Sequence, residues 1–176
     1  MTLANRLTIL RILMTPVITI LLLYKYTAAA TAIFVLAGVT DGLDGFVARS
    51  RGQRTALGMV LDPLADKLLL MSCVVVLTIL KELPRWFTII IVSRDLILIG
   101  GSLIVYMFVG RMSMPPSWLG KFTTGFQLAT VLLAMLDNLV PVLRSAVMPV
   151  AFLTTALTIG SGLDYVYRGG RVLNDQ

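Results

Sequence analysis

Four aspartates set in apolar sequence are the residues of this chain best placed to do chemistry: Asp41, Asp44, Asp62 and Asp66. The first two are three positions apart and the last two are four apart. On a helix either spacing stacks both side chains on one face, so two helices could aim two carboxylates each at a common centre. Four clustered anions in apolar surroundings would repel one another and favour protonation unless a cation joins them. The chain has no histidine, and its one cysteine, Cys73, stands in an apolar run. An all-oxygen donor set suits a hard divalent ion, Mg²⁺ or Mn²⁺. The absence of histidine also excludes Ser-His-Asp hydrolysis and leaves a carboxylate as the available general base.

Such carboxylates need helices at membrane depth to position them. Of the 176 residues, 57% are hydrophobic and 14% charged, where a soluble domain carries roughly 25% charged residues. Apolar runs near the roughly 20 residues that span a bilayer recur along the whole length. The composition reads as an all-α integral membrane protein forming a single domain over 1–176. Six transmembrane helices are expected, at about 12–24, 28–48, 61–80, 86–109, 122–136 and 146–167. An N-terminal interfacial segment, 1–11, leads into the first, with Leu3, Leu7 and Leu10 on one face. The competing reading of this start is a secretory leader ending near Ala28-x-Ala30. It is set aside because the remaining chain is equally apolar. Asp41 and Asp44 fall in the last third of the second span. Asp62 and Asp66 fall in the first turns of the third, where Pro63 suits a helix start. Both pairs then face one side of the membrane.

The net charge is +6, and the basic residues flank the spans, a placement that fits anionic lipid headgroups rather than nucleic acid. Six spans put Arg6, Arg11, Arg49, Arg51, Arg54, Arg111, Lys121, Arg168 and Arg171 on the side of the termini. Lys25, Lys81, Arg85 and Arg144 lie opposite. Nine against four places the aspartates at the cytoplasmic face of the inner membrane.

The pattern from Asp41 to Asp66, D-x2-D-G-x2-A-R-x8-G-x3-D-x3-D, resembles the signature of the CDP-alcohol phosphotransferases. Asp41, Asp44, Gly45, Ala48, Arg49, Gly58, Asp62 and Asp66 all stand at its positions. The resemblance implies transfer of a phosphatidyl group from CDP-diacylglycerol to an alcohol with release of CMP. It implies two divalent ions held by Asp41, Asp44, Asp62 and Asp66, with Asp66 also the general base. It makes Gly45, Ala48, Arg49 and Gly58 the contacts of the CDP donor, and it implies a homodimer. No activated nucleophile is evident, which favours direct displacement.

LDPLADKLL at the start of the third span, and Gly120-Lys121, resemble members of the family with glycerol-type acceptors. Those acting on glycerol 3-phosphate usually carry Arg-Glu in the fourth span and a further Arg eight residues after the first. Here the pair is Arg94-Asp95 and the eighth position is Ser102. That resembles the cardiolipin-forming members and makes phosphatidylglycerol the leading acceptor, with glycerol 3-phosphate the alternative. Arg94, Arg111 and Lys121 are the candidate acceptor-binding residues. Arg94 could instead form an internal salt bridge with Asp95. A cation transporter or channel subunit, with the aspartates as its ion path, is the alternative of another class.

Overall fold

In the computed structural model, the backbone is described for residues 3–51, 56–109 and 117–174, and side chains for 8–40, 65–101, Met107 and 117–171. Among the described residues the chain is all-helical: α1 (Leu3–Leu23), α2 (Thr27–Arg51), α3 (Ala56–Ile79), α4 (Arg85–Val109), α5 (Trp118–Asp137) and α6 (Arg144–Asn174), with one 3₁₀ turn, Pro141–Leu143, before α6.

The boundaries refine the sequence reading. The lead-in and first span form one helix, α1. Arg94 and Asp95 do not interrupt α4. α3 begins at Ala56, so Pro63 lies two turns inside it rather than at its first turn, which corrects the expected start. The run Ala56-Leu57-Gly58-Met59-Val60-Leu61 is itself apolar and carries no cap residue that would delay the helix. α6 likewise continues past the expected limit at 167 into the polar tail.

α1 and α3 end in the same way, each with a lysine in the left-handed region, Lys25 at φ 62° and Lys81 at φ 65°. Beyond each helix a six-to-one and a five-to-two bond close the turn: Tyr26 N–H to Leu21 O (2.8 Å) and Lys25 N–H to Leu22 O (2.9 Å), then Glu82 N–H to Leu77 O (2.9 Å) and Lys81 N–H to Thr78 O (3.1 Å). This is the Schellman termination, usually built on glycine. A cation at this place complements the negative helix end.

The chain divides into two compact units, one comprising 1–83 and 131–144, the other 84–130 and 145–176. In the first, α1 packs against both α2 and α3. Ile18 and Leu22 are fully buried on α1, whereas Leu13, Val17 and Ile20 are exposed on its other side.

In the second unit the seam between α5 and α6 is polar and their outward faces are apolar. Thr123, Gln127 and Thr130 line the buried face of α5; Thr154, Thr158 and Ser161 line that of α6. Thr130 Oγ1 and Thr154 Oγ1 lie 2.8 Å apart, Gln127 Nε2 donates to Thr158 Oγ1 at 3.3 Å, and Thr123 Oγ1 donates to Leu157 O at 3.1 Å. Phe122, Phe152, Leu153, Ile159, Leu163 and Val166 are exposed. A water-soluble helix pair would reverse this arrangement. Small hydroxyl residues between helices with apolar side chains outward are the pattern of helix association in lipid. Two stretches, Trp118–Asp137 and Pro141–Arg171, are long and apolar enough to cross a membrane, and only 33% and 28% of their apolar windows are buried. The core helix of a soluble protein would be mostly covered. The chain is a membrane-associated helical protein.

Candidate functional site

The motif lies on two helices of the first unit. Asp41, Asp44, Gly45, Ala48 and Arg49 fall in the last turns of α2, and Gly58, Asp62 and Asp66 in α3. The three- and four-residue spacings therefore do occur on continuous helix, so each pair shares a helix face. Of these eight residues Asp66 is the one whose side chain is described. The side chains of Asp41, Asp44, Gly45, Ala48, Arg49, Gly58 and Asp62 lie outside the described residues.

Asp66 is paired with Arg11 of α1, whose guanidinium donates Nη1–H to Asp66 Oδ1. The Arg11 side chain is almost wholly buried, whereas that of Asp66 is 45% exposed. A buried guanidinium thus anchors a carboxylate whose side chain is only partly covered. Packing of α1 against α3 brings the pair together. Sequence reasoning counted Arg11 only among the charges of the interfacial segment and missed this contact. A signal was present: Arg11 interrupts the apolar run Leu7 to Val17, and an arginine within a span is seldom without a partner.

The second unit holds a separate buried charge pair. Arg94 Nη1 donates to Asp95 Oδ1 at 2.9 Å and Nη2 donates to Ser161 Oγ at 2.9 Å. Arg94 is 6% exposed and Asp95 fully buried. Two glycines border the Arg94 side chain. A Cβ at Gly120 would stand 3.5 Å from Arg94 Nη2, and one at Gly162 would stand 3.6 Å from Arg94 Cγ. Arg94 Nε and Gln127 Oε1 are buried without a hydrogen-bond partner among the described residues. The internal salt bridge anticipated for Arg94 is therefore present, and its Nε–H has no partner among the described residues. Lys121, one residue beyond Gly120, is exposed, with its Nζ 5.0 Å from the centroid of the Trp118 ring. Arg111 lies outside the described residues.

No group of three metal-binding side chains occurs among the described residues, as expected where only Asp66 of the four aspartates is described. The donor set nonetheless fits a hard divalent cation. It supplies four carboxylates in two helical pairs and no nitrogen or sulfur. Asp66, half-open to solvent and already held by a cation, has the exposure that a ligand needs.

Comparison with known proteins bears on the same helices. The sequence model of the CDP-alcohol phosphatidyltransferase family matches residues 1–157, the whole aspartate pattern included. A probable phosphatidylglycerophosphate synthase of Mycobacterium tuberculosis is 38% identical over 175 residues, covering 96% of this chain and 82% of the relative. The cardiolipin synthase (CMP-forming) of Homo sapiens is 32% identical over 188 residues, covering 97% of this chain and 62% of the relative. The CDP-diacylglycerol–glycerol-3-phosphate 3-phosphatidyltransferase of Bacillus subtilis is 31% identical over 152 residues, covering 78% of each.

Proposed function

This chain belongs to the CDP-alcohol phosphatidyltransferase family, and from that membership we propose a specific reaction. It moves the phosphatidyl group of CDP-diacylglycerol to a glycerol-type alcohol, releases CMP, and takes phosphatidylglycerol as acceptor. The observation that carries the transfer reaction is the family match over 1–157 with all eight motif residues in place. The acceptor assignment rests on Ser102, which stands where members using glycerol 3-phosphate carry a second arginine.

The family is generally dependent on divalent metal. Asp41, Asp44, Asp62 and Asp66 would hold two ions, Mg²⁺ or Mn²⁺, which when bound neutralise the diphosphate and improve CMP as a leaving group. Arg49, with Gly45 and Ala48, would bind the donor, its guanidinium supplying a cation for the donor phosphates. Gly58 leaves room for the nucleotide. The acceptor hydroxyl oxygen attacks the phosphatidyl phosphorus as the bond to the CMP oxygen breaks, and Asp66 takes the hydroxyl proton. Arg11 holds the Asp66 carboxylate from behind during this transfer. Arg94, Arg111 and Lys121 are the candidate cations for the acceptor's phosphate. Asp95 and Ser161 fix the Arg94 guanidinium in advance of binding.

The same reading places one domain over 1–176 in the inner membrane, with six spans, the aspartates open to the cytoplasm, and two copies forming a homodimer. Its supports are the excess of basic residues on one side and the lipid-type packing of α5 on α6. The named relatives are phospholipid synthases, and the ion-path alternative is set aside.

A second acceptor has a specific observation in its favour. The 38% identity to the probable phosphatidylglycerophosphate synthase exceeds the 32% identity to the human cardiolipin synthase, which points to glycerol 3-phosphate. An acceptor screen decides between them. Purified protein with CDP-diacylglycerol and Mg²⁺ or Mn²⁺ is offered phosphatidylglycerol, glycerol 3-phosphate, inositol phosphate and serine in separate reactions, and CMP is measured. Release with phosphatidylglycerol supports the leading reading. Release with glycerol 3-phosphate alone overturns it, and no release with any acceptor overturns the transferase reading of this chain.

A further inference from the structure

A cavity of about 590 Å³ lies within the first unit, at the end remote from the aspartate motif. The turns that follow α1, α3 and α5 wall it, together with the first turn of α2. From Asp66 to the end of α3 at Ile79, and from Asp41 back to the start of α2 at Thr27, the helices rise about 20 Å at ~1.5 Å per residue. None of the residues assigned to donor, acceptor or metal is among its lining residues. Its volume falls within the roughly 300–1,000 Å³ of sites that take a molecule rather than an ion. The lining carries one charge of each sign, Lys25 and Glu82. Neither side chain has an ion-pair partner among the described residues, and they do not pair with each other. Both stand on the closed turns that end α1 and α3, where the N–H groups of Lys25 and Glu82 bond to Leu22 O and Leu77 O. The two charges are therefore carried on ordered backbone.

A cation and an anion that share a cavity without meeting are satisfied together by one ligand bearing both charges. The remaining walls are apolar, Leu22, Leu80 and Leu139 among them. Tyr24 and Tyr26 are 74% and 64% exposed at the same end of α1, and tyrosines at a helix end mark the headgroup level of a bilayer. We propose that this cavity seats a zwitterionic phospholipid with a primary ammonium. Its phosphate lies on Lys25, beside the leading N–H groups of α2, which have no acceptor inside the helix. Its ammonium lies on Glu82, and the roots of its acyl chains lie on the apolar walls. A primary ammonium carries N–H donors for the carboxylate, whereas a choline headgroup carries none, so ethanolamine lipid is preferred to choline lipid. A phosphatidylglycerol headgroup has no cation and leaves Glu82 unpaired. The apolar walls match a lipid better than free phosphoethanolamine. The inference rests on the membrane reading above and not on the transfer reaction.

Cys73 is fully buried, so a thiol introduced at the cavity wall is the accessible one. The full chain carrying Asn138→Cys, and separately Leu139→Cys, is placed in nanodiscs, which leave both bilayer faces open. It is labelled with an uncharged methanethiosulfonate. Neither donor nor metal is present, so failure of the transfer reading leaves the measurement intact. Discs of phosphatidylcholine alone are compared with discs containing equal parts of phosphatidylcholine and either phosphatidylethanolamine or phosphatidylglycerol. Labelling should be about three-fold slower with phosphatidylethanolamine than with the other two, since one exposed ion pair is worth up to roughly five-fold in affinity. Lys25→Gln and Glu82→Gln, each shown to be folded by a thermal melt, should bring these rates together. A second measurement needs no substitution: in detergent, short-chain phosphatidylethanolamine should raise the Tm of the full chain more than short-chain phosphatidylcholine does. Equal labelling in all discs at both positions, an equal rise in Tm, or a preference that survives both charge substitutions overturns the proposal. So does protection by water-soluble glycerophosphoethanolamine equal to that by the lipid, the result expected if a free zwitterion were the occupant.

Discussion

The contact between Arg11 and Asp66 makes a quantitative demand on catalysis. A guanidinium and a carboxylate about 4 Å apart, centre to centre, interact by about 4 kcal/mol at the effective dielectric of a protein surface. That figure overstates the net effect, because the Asp66 side chain is 45% exposed and is screened by solvent. Exposed pairs contribute roughly 0.2–1 kcal/mol, and breaking a buried pair costs about 3–5 kcal/mol. With one partner buried and the other half-open, Arg11→Gln should lose about 1–2 kcal/mol of carboxylate positioning. If that loss falls on the proton-transfer step, kcat drops about 5- to 30-fold, with a smaller change in KM for CDP-diacylglycerol. The assay is CMP release under saturating donor and metal, paired with a thermal melt in the same detergent to separate misfolding from misplacement. Arg11→Lys keeps the charge but loses the planar fork, so it should recover part of the rate. A folded Arg11→Gln protein whose kcat stays within about two-fold of the parent, less than ~0.5 kcal/mol, would refute the positioning argument.

Other substitutions test the remaining assignments. Asp66→Asn should abolish turnover while leaving much of the CDP-lipid binding, measured by equilibrium binding; near-normal turnover would remove Asp66 from the base role. Arg49→Ala should raise the donor KM more than the acceptor KM, and a change confined to the acceptor would contradict a donor-phosphate contact. In a double-mutant cycle, Thr130→Val and Thr154→Val should couple by only about 0.6 kcal/mol in a reversible unfolding measurement, so a coupling above ~2 kcal/mol would show the seam to be stronger than hydroxyl pairs in lipid usually are. Lys81→Gly should raise thermal stability by about 0.5–1 kcal/mol, because Lys81 occupies a left-handed backbone conformation at φ 65° that glycine adopts without strain; a fall in stability would mean that its charge at the helix end outweighs the conformational relief.

Much of this was legible before any coordinates. Carboxylates at three- and four-residue spacing require helices to share a face, and α2 and α3 supply them. The apolar runs located every helix to within a few residues except at three ends, one of them the start of α1, where the interfacial segment joins the first span. α3 begins five residues before the expected 61, since the apolar run Ala56 to Leu61 continues the helix despite Gly58, and a single proline at 63 is a weak start signal. α6 outruns its apolar stretch because a polar sequence can extend a helix already anchored by its buried part. The Arg11–Asp66 pair was not legible, because it joins residues 55 apart through the packing of α1 on α3, and no local periodicity reports on that. Asp95 invited a local salt bridge, correctly, but Ser161 as the second anchor of Arg94 depends on α4 and α6 lying side by side.

The threonines of α5 and α6 have a consequence for biogenesis. Three of the seam hydroxyls already have an oxygen on their own helix: Thr123 donates to Leu119 O (2.8 Å), Thr130 to Phe126 O (2.7 Å) and Thr158 to Thr154 O (2.7 Å). Each helix can therefore leave the translocon and enter lipid with these hydroxyls satisfied before any neighbour arrives. Pairing of α5 with α6 then exchanges or shares bonds rather than creating them, so it adds little affinity. What the matched rungs at 123, 127 and 130 against 157, 158 and 154 specify is the vertical offset of one helix on the other. A one-turn slip would break the Gln127–Thr158, Thr130–Thr154 and Thr123–Leu157 contacts together, and that is the misassembly this ladder guards against during synthesis.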